Sequence, residues 1–277
     1  MKNNQAVTNH RFFMIYKTDY HIHTSFSDGK AVPEDYIPAA VSAGISEIGF
    51  SEHLSLFREN QDWVMNPENA PAYVNYIDNL KKKSDSIIIK TGMEVDFFPG
   101  KEKEIEMFLN NFDLDYRIGS VHYLGEKSVD LGPEFYEGKN IDSLYESYFE
   151  HVMAAAGSGL FDIIGHCDLI RIYGYKPSSD PGPHYRKLAR VMKKNNVAFE
   201  LNTNGMNRPM SDFYPDRRFL NVFREEEVPV CVNSDAHMPS RVGQFFVEAY
   251  GLLRTAGFTE MAVFTGRKRK MMPFRLI

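Results

Sequence analysis

The sequence has few of the residues that mark several protein classes. Only two cysteines occur among 277 residues, Cys167 and Cys231, and they form no CxxC pair. This excludes a disulfide framework, argues against a thiolate zinc site and favours a reducing compartment. Lys and Arg number 32 against 37 Asp and Glu, so the net charge of -5 offers no general attraction to nucleic acid.

Long apolar stretches are missing as well. No run approaches the roughly 18 apolar residues that a membrane-spanning helix needs. The amino-terminal segment, MKNNQAVTNHRFFMIYK, lacks the charged start and long apolar centre of a signal peptide. We therefore expect no membrane insertion and a cytoplasmic location. Hydrophobic residues at 43% and charged residues at 25% are ordinary values for a globular enzyme.

Short β-rich runs alternate with longer helical segments along the whole chain, which is typical of repeated βα units. Strands are predicted at Tyr16 to His21, Glu47 to Ser51, Ile87 to Met93, Tyr116 to Ser120, Ile163 to His166, Val197 to Leu201 and Val228 to Asn233. Helices are predicted at Glu34 to Ala43, Pro67 to Lys83, Lys101 to Asn110, Ile141 to Gly157, Pro183 to Lys194, Pro215 to Glu227 and Arg241 to Ala256. No repeat or linker divides the chain, so residues 1–277 are predicted to form one α/β domain.

The strongest chemical signal follows the first predicted strand, where His21 and His23 stand two residues apart. A period of two places both imidazoles on one face of an extended chain. Their nitrogens can then bind one cation, and Asp28 in the next loop can bring a carboxylate to a neighbouring cation. Taken alone, the motif is equally well explained as a chance surface H-x-H.

The same residue types recur at the ends of later predicted strands. They are His53, Glu94, His122, His166, Asp235 and His237. Each histidine alone could be a core imidazole bonded to a backbone carbonyl, but the carboxyl ends of barrel strands meet at one mouth. We therefore expect these side chains to converge there and hold about three divalent ions. Glu94 and Asp235 are expected to bridge ions, because neighbouring dications repel each other unless an anion lies between them.

Several polar residues fall outside this pattern. Three histidines are expected to be structural or solvated: His10, His151 and His184. Glu52 and Asp96 lie near the expected mouth and are equally well explained as partners of ligating histidines. The basic run from Arg267 to Lys270 is expected to be a solvated surface rather than a nucleic-acid contact.

The motifs stand as His21-Ile22-His23 with Asp28, Ser51-Glu52-His53, Gly92-Met93-Glu94, Gly119-Ser120-Val121-His122-Tyr123-Leu124, Ile164-Gly165-His166-Cys167-Asp168 and Ser234-Asp235-Ala236-His237. They resemble the PHP (polymerase and histidinol phosphatase) superfamily, and within it the monofunctional histidinol-phosphate phosphatases. The resemblance spans nearly the whole chain and implies a distorted (β/α)7 TIM-like barrel with a trinuclear metal site. It implies one ion at His21, His23, Glu94 and Asp235, a second at Glu94, His122 and His166, and a third at Asp28, His53 and His237.

The resemblance also implies a phosphomonoesterase that acts on a small phosphorylated metabolite. The expected reaction converts L-histidinol phosphate to L-histidinol and phosphate in histidine biosynthesis, by attack of a metal-bound hydroxide. Catalytic roles are expected for Asp235, Glu94 and His237. Separately from the resemblance, Arg171, Arg208 and Arg241 lie just beyond predicted strand ends and are expected to contact the phosphate, although surface ion pairs explain them equally well. Tyr123 is a further expected substrate contact. Zinc, iron and manganese all accept such mixed imidazole and carboxylate ligands.

Alternatives stay open at this point. A PHP-type phosphodiesterase or exonuclease would need a basic groove, which the acidic balance disfavours. A phosphatase acting on a different small metabolite fits the same residues. A non-catalytic metal-binding module is a further alternative, disfavoured by a complete ligand set that leaves coordination positions for substrate. The sequence does not determine the oligomeric state.

Overall fold

The computed structural model describes residues 16–58 and 61–274, so His10 lies outside the described residues. The strands are β1 Thr18–Asp19, β2 Glu47–Leu54, β3 Ile88–Asp96, β4 Tyr116–Ser120, β5 Tyr123–Leu124, β6 Lys127–Ser128, β7 Ile163–Ile164, β8 Ala198–Asn202, β9 Val230–Asn233, β10 Glu260–Thr265 and β11 Lys268–Pro273. The helices are α1 Pro33–Ser42, α2 Ala70–Lys83, α3 Glu102–Leu109, α4 Ile141–Gly157, α5 Gly182–Asn195, α6 Leu220–Glu225 and α7 Phe246–Thr255.

Seven strands form one parallel sheet in the order β1-β2-β3-β4-β7-β8-β9. A parallel bridge between Ile22 and Ala236 joins the segment after β1 to the segment after β9, so the sheet curls into a nearly closed barrel. Helices occupy the connections, as parallel strands require. The predicted single-domain (β/α)7 barrel is therefore confirmed.

The barrel is not held equally firmly all the way round. β2 and β3 are paired over eight residue positions. At the junction of the first and last strands, the described main chain forms two hydrogen bonds, from His23 N to Ala236 O at 3.0 Å and from Ala236 N to His21 O at 3.2 Å. Two side chains add a third and a fourth, since Asn233 Oδ1 accepts from Tyr20 N at 2.8 Å and Asp19 Oδ1 accepts from Ser234 N at 2.9 Å. The closure is thus the part of the barrel with least backbone pairing.

The amino-terminal half of the barrel interior is filled by side chains. This cluster consists of Tyr20, Tyr116, Ile118, Ile163, Ala198, Cys231, Ala262 and Phe264. The ring of Tyr116 needs a glycine beside it, since a Cβ at Gly92 would lie 2.3 Å from the ring. Ala262 and Phe264 come from the β10–β11 hairpin, which the sequence did not predict. The hairpin closes the amino-terminal end, so the open carboxyl end is left for a site.

Four helices are shorter than predicted, α2 and α3 by two or three residues and the last two by more. The sixth begins at Leu220 rather than Pro215, because the Asp216 side chain accepts a hydrogen bond from Arg218 N and starts a separate 3-10 turn there. The seventh begins at Phe246, because Gly243 and Phe245 have φ values of 66° and 56°. These left-handed conformations cannot continue a right-handed helix.

Three expectations about the chain as a whole also have structural outcomes. None of the helices within residues 16–58 and 61–274 is long and apolar enough to cross a membrane. Cys167 and Cys231 are buried and free. The expected solvated basic run is partly structural, since Arg267 Nε donates to Asp162 Oδ2 at 3.0 Å and holds the β10–β11 hairpin against the barrel.

Candidate metal centre

The structure brings together all nine side chains that the sequence marks as metal ligands. They lie at the carboxyl end of the barrel, in four overlapping groups whose donor atoms are within 4.8 Å of one another. The groups are His23 with Asp28, His53 and His237; His21 with Glu94 and His166; His21 with His23 and Asp235; and His53 with Glu94 and His122. Parallel strands explain this convergence, because their carboxyl ends share one rim.

The loop after β1 is folded tightly so that Asp28 reaches the cluster. A Cβ at Gly29 would lie 2.1 Å from the carbonyl oxygen of His23, so this close approach of two backbone segments requires glycine. Glu52 holds the same loop by accepting hydrogen bonds from Thr24 N at 3.0 Å and Thr24 Oγ1 at 2.6 Å. Glu52 therefore positions a loop, and it forms no hydrogen bond to a histidine ring among the described contacts.

Glu94 lies at the centre of the cluster, on β3 directly beside His53 of β2. Its Oε2 is 2.6 Å from His53 Nδ1 and 3.2 Å from His21 Nε2. Its Oε1 is 2.9 Å from His166 Nε2 and 3.6 Å from His122 Nε2. Oε2 also lies 3.5 Å from His23 Nε2, so the two carboxylate oxygens face different sets of imidazoles, as bridging between ions would require.

Asp235 occupies the rim just after β9 with a φ of 50°, a conformation that Asp tolerates better than most residues. Its Oδ1 lies 3.4 Å from His23 Nε2 and 3.6 Å from His237 Nδ1. Its Oδ2 accepts hydrogen bonds from Asn202 Nδ2 at 3.2 Å and Asn204 Nδ2 at 3.3 Å. The two amides fix the carboxylate so that one oxygen faces the histidines.

Two of the imidazoles are held from behind by buried carboxylates. Asp96 Oδ1 lies 2.6 Å from His122 Nδ1, and Glu200 Oε1 lies 2.7 Å from His21 Nδ1. Such partners fix the orientation of the ring and leave its Nε2 for a metal ion. Asp96 was a candidate from the sequence, but Glu200 was missed. Its signal is the alternation of Glu200 and Asn202, two polar residues on one face of a fully buried strand.

The charges of the cluster are set by burial and by the neighbours. Burial would raise the pKa of Glu94 and Asp235, yet the surrounding imidazoles hold both pKa values well below the usual range. Burial, together with the neighbouring His53 and His237, lowers the pKa of His23 to about 3. The two carboxylates are therefore ionised and His23 is neutral at neutral pH, which are the forms that bind metal ions.

Several donor atoms of the cluster are buried and lie close to one another, but they form no hydrogen bond of acceptable geometry among the described residues. They include His21 Nε2, His23 Nε2, Asp28 Oδ1 and Glu94 Oε2. Unpartnered buried polar atoms are rare in native proteins and call for an explanation. Imidazole nitrogens and carboxylate oxygens in one cluster form a donor set that zinc, iron and manganese accept. The residues present therefore fit divalent metal ions.

A cavity of about 210 Å³ opens beside the cluster. It is lined by Asp28, His53, Trp63, His122, Asp130, Leu131, His166, Leu169, Ile172, Asn204, Arg208, Tyr214, Asp235 and His237. Arg208 is the one predicted substrate residue in this lining. Its side chain is exposed and forms no ion pair within the described part of the chain. A free guanidinium beside a metal-type cluster suits a phosphate group.

Arg171 is not brought into this cavity. Its guanidinium donates to Asp168 Oδ2 at 2.9 Å and to Asp212 Oδ2 at 2.8 Å, and it lies 3.7 Å from Asp216 Oδ2. Burial alone would lower the pKa of Arg171, but these carboxylates raise it. The positive charge of Arg171, which we expected to contact the phosphate, is thus already neutralised by carboxylates of the protein.

Arg241 and Tyr123 also lie away from the cavity lining. Arg241 Nη1 donates to Gln244 Oε1 at 3.1 Å on the exposed surface. The ring of Tyr123 lies 5.0 Å below the Arg58 guanidinium and stacks beside Trp63 at 6.4 Å, so it supports a residue of the lining. His151 and His184 have the structural environments expected of them, on α4 and α5.

Comparison with known proteins agrees with this architecture. The PHP domain model matches residues 19–204. A "Probable histidinol-phosphatase" of Deinococcus radiodurans is 37% identical over 262 residues, covering 92% of this chain and 98% of that protein. A histidinol-phosphatase of Lactococcus lactis is 27% identical over 262 residues, covering 91% of this chain and 96% of that protein.

Among solved structures, the histidinol phosphate phosphatase of Lactococcus lactis, complexed with zinc, L-histidinol and phosphate, superposes with a TM-score of 0.81. The two chains are 27% identical, and the match covers 92% of this chain and 98% of that one. The family model extends from Asp19 to Asn204 and takes in seven of the nine converging side chains, from His21 to His166. By sequence match, fold and the placement of these residues, the chain belongs to the PHP domain family.

Proposed function

We propose that this chain is a metal-dependent phosphomonoesterase that hydrolyses L-histidinol phosphate to L-histidinol and phosphate in histidine biosynthesis. The observation that carries the proposal is one small cavity lined by six of the nine metal-type side chains and by Arg208, which forms no ion pair among the described residues. The histidinol-phosphatases of Deinococcus radiodurans and Lactococcus lactis, similar over nearly their whole length, support this choice of substrate.

The proposed cofactor is three divalent ions, with zinc as first choice and iron or manganese as alternatives. Zinc is supported by its presence in the similar Lactococcus lactis structure. The proposed holders are His21, His23, Glu94 and Asp235 for one ion, Glu94, His122 and His166 for the second, and Asp28, His53 and His237 for the third. Bound divalent ions supply positive charge for the phosphate oxygens and lower the pKa of water enough to give a nucleophile at neutral pH.

The protein side chains position the reactants around those ions. The guanidinium of Arg208 donates hydrogen bonds to the phosphate dianion and holds it in the cavity. Asn202 and Asn204 donate to Asp235 Oδ2 and so keep its Oδ1 turned toward the cluster, where it would help to hold one ion. His237 is held nearby, with its Nε2 3.4 Å from Asp28 Oδ1. Alignment of water with the phosphorus atom accounts for much of the rate in such reactions.

Trp63 keeps bulk water away from one side of the site. Its indole lies 4.8 Å from the His53 ring, edge to face, and 5.4 Å from the His122 ring. Exclusion of water strengthens every charge interaction within the cavity. The indole thus helps to keep the reacting water ordered by limiting its exchange with bulk solvent.

The proposed partner is a small metabolite rather than a polymer. The cavity volume of about 210 Å³ is below the usual range for pockets that bind drug-sized ligands, and the cavity is not a long basic groove of the kind that binds nucleic acid. We propose the cytoplasm as the location, supported by two free thiols in a chain without disulfides. The whole chain of 277 residues is proposed to act as one domain.

The test uses protein loaded with zinc, manganese or iron and measures phosphate release from a panel of esters. The panel contains histidinol phosphate, other small monoesters and a bis-aryl phosphodiester. We expect one preferred monoester, loss of turnover on chelation and recovery when metal is returned. Preference for the diester would support the phosphodiesterase alternative. Metal-loaded protein without turnover of any ester would support a non-catalytic metal-binding module.

A further inference from the structure

The cavity contains one more charged group, which the metal cluster does not use. Asp130 lines it from the segment after β6 and is half-buried. The main chain of Asp130 is fixed on both sides, because Tyr173 Oη donates to its carbonyl oxygen at 2.6 Å and its own N–H donates to Ser128 Oγ at 3.2 Å. The Ser128 hydroxyl also donates to Asp130 Oδ1. The carboxylate is therefore held in one place.

No cation among the described residues forms an ion pair with this carboxylate. Within residues 16–58 and 61–274, no Lys, Arg or His nitrogen lies within 4.0 Å of the Asp130 oxygens. Arg208 shares the cavity lining but does not reach ion-pair distance. By contrast, Asp212 and Asp216 in the next pocket are both paired with arginine. A fixed carboxylate without an ion-pair partner, in a small cavity, suits a cationic group of a small ligand.

The same cavity also has an apolar part of its lining. It consists of Trp63, Leu131, Leu169 and Ile172. Leu131 follows Asp130 directly, and 66% of its surface is exposed, which is high for leucine. A flat ligand lying against Leu131 and the indole of Trp63 would bury this apolar surface. The same ligand could place a positive charge against Asp130.

We infer that Asp130 is a specificity-determining residue that pairs with a cationic group on the organic part of the substrate. The site therefore favours phosphate monoesters of small, ring-bearing cationic alcohols over neutral esters with the same phosphate. Arg208 and the metal cluster would bind the phosphate dianion, and Asp130 would bind the cationic group on the organic part of the substrate. The inference rests on the proposed phosphomonoesterase function and names the charge that the substrate must carry.

The experiment compares kcat/KM for histidinol phosphate and for p-nitrophenyl phosphate, whose organic part is neutral. Asp130→Asn keeps the oxygen that accepts from Ser128 and both main-chain hydrogen bonds, so the fold is retained. We expect this variant to lose tenfold or more in kcat/KM for histidinol phosphate, mainly through KM, and to change less than twofold for the neutral ester. Glu137→Gln removes the same charge from an exposed position of the nearby loop, outside the cavity lining, and should change neither value.

The two esters distinguish a failure of the proposed Asp130 role from a failure of the proposed phosphomonoesterase function. Equal losses on both esters would mean that Asp130 acts through the metal cluster or the fold, and would overturn the inference alone. Unchanged values on both esters would also overturn it. A metal-loaded wild type that releases phosphate from neither ester would refute the proposed function, and the inference with it. A loss confined to the cationic ester supports both.

Discussion

Glu200 holds His21 from behind the metal cluster, with its Oε1 2.7 Å from the imidazole Nδ1. Both side chains are completely buried. The other oxygen of Glu200 accepts hydrogen bonds from His166 N at 2.8 Å and from Asn202 Nδ2 at 2.9 Å. One carboxylate thus orients the ring of one candidate ligand and the backbone of another. Its influence on metal binding should exceed that of a residue with a single contact.

Glu200→Gln should weaken metal binding by about 10–100-fold, because an outer partner of a ligand typically contributes that much. The amide is similar in size but carries no charge to polarise His21. Competition with a chelating dye measures the metal affinity directly. Glu248→Gln, an exposed change on α7, serves as the matched control. An affinity equal to that of the wild type would show that Glu200 only fills space.

Glu94→Gln should have a larger effect than any change behind the ligands. The amide offers one acceptor oxygen instead of two, and the two oxygens of Glu94 face different sets of histidines. We expect at least one ion per chain to be lost, with turnover reduced by more than about 100-fold, above the range for outer partners. Elemental analysis and phosphate release measure the two effects. As a control, Ser120→Ala removes only the hydroxyl that donates to Glu94 Oε1, and it should reduce metal content and turnover less. Full metal content in Glu94→Gln would contradict a bridging role.

Metal binding should release protons at pH 7. Burial disfavours a charged His122, but the carboxylates of Asp96 and Glu94 raise its pKa to about 10. The ring is therefore protonated in the metal-free protein, whereas ligation requires the neutral form. Apparent affinity should rise with pH up to about 10, by about tenfold per pH unit for each proton released. Calorimetric titration in two buffers of different ionisation enthalpy counts the protons, and a buffer-independent heat would be incompatible with this assignment.

Arg208→Ala should raise KM for the phosphate ester by about tenfold or more, since a hydrogen bond to a charged group contributes about 1.5–3 kcal/mol. Arg241→Ala removes a guanidinium that bonds to Gln244 on the surface, so its KM should stay within about twofold of the wild-type value. Steady-state kinetics on metal-saturated protein compares the two variants. Equal effects from both changes would show that the phosphate is not bound where the cavity suggests.

Arg171→Ala should destabilise the fold by about 3 kcal/mol or more, because it leaves the buried carboxylate of Asp168 without its cation. Arg218→Ala removes an exposed guanidinium, while the buried Asp216 keeps Arg171 and the Arg218 N–H as partners, so it should cost about 0–1 kcal/mol. Urea unfolding with metal held constant measures both free energies. A stable Arg171→Ala protein with a raised KM would restore the substrate role that the sequence suggested for this residue.

The candidate ligands could be predicted from the sequence because one rule connects them. Residues at the carboxyl ends of parallel strands meet at one rim, so His53 and His166 could be placed together without coordinates. The partners of those residues follow no such rule. Glu200 contacts a histidine 179 positions away, and Arg171 is neutralised by Asp212, 41 positions further along the chain. Whether a given arginine is free or paired depends on loop packing that residue order does not record.

The same distinction holds for the fold. The seven barrel strands were predictable from alternating apolar runs and their spacing. The ends of the last two helices were not, because they depend on the Asp216 cap and on positive φ values at Gly243 and Phe245. The β10–β11 hairpin carries a basic run that suggests surface, yet it closes the barrel interior through Phe264.

The sparse pairing between the first and last strands gives the metal ions a mechanical role. His23 belongs to one side of that junction and Asp235 to the other, with 3.4 Å between His23 Nε2 and Asp235 Oδ1. An ion bound by both residues would cross-link the two ends of the barrel, where few backbone hydrogen bonds join them. Removal of the ions would then weaken the barrel at this junction first, so metal content and the stability of the closure should fall together.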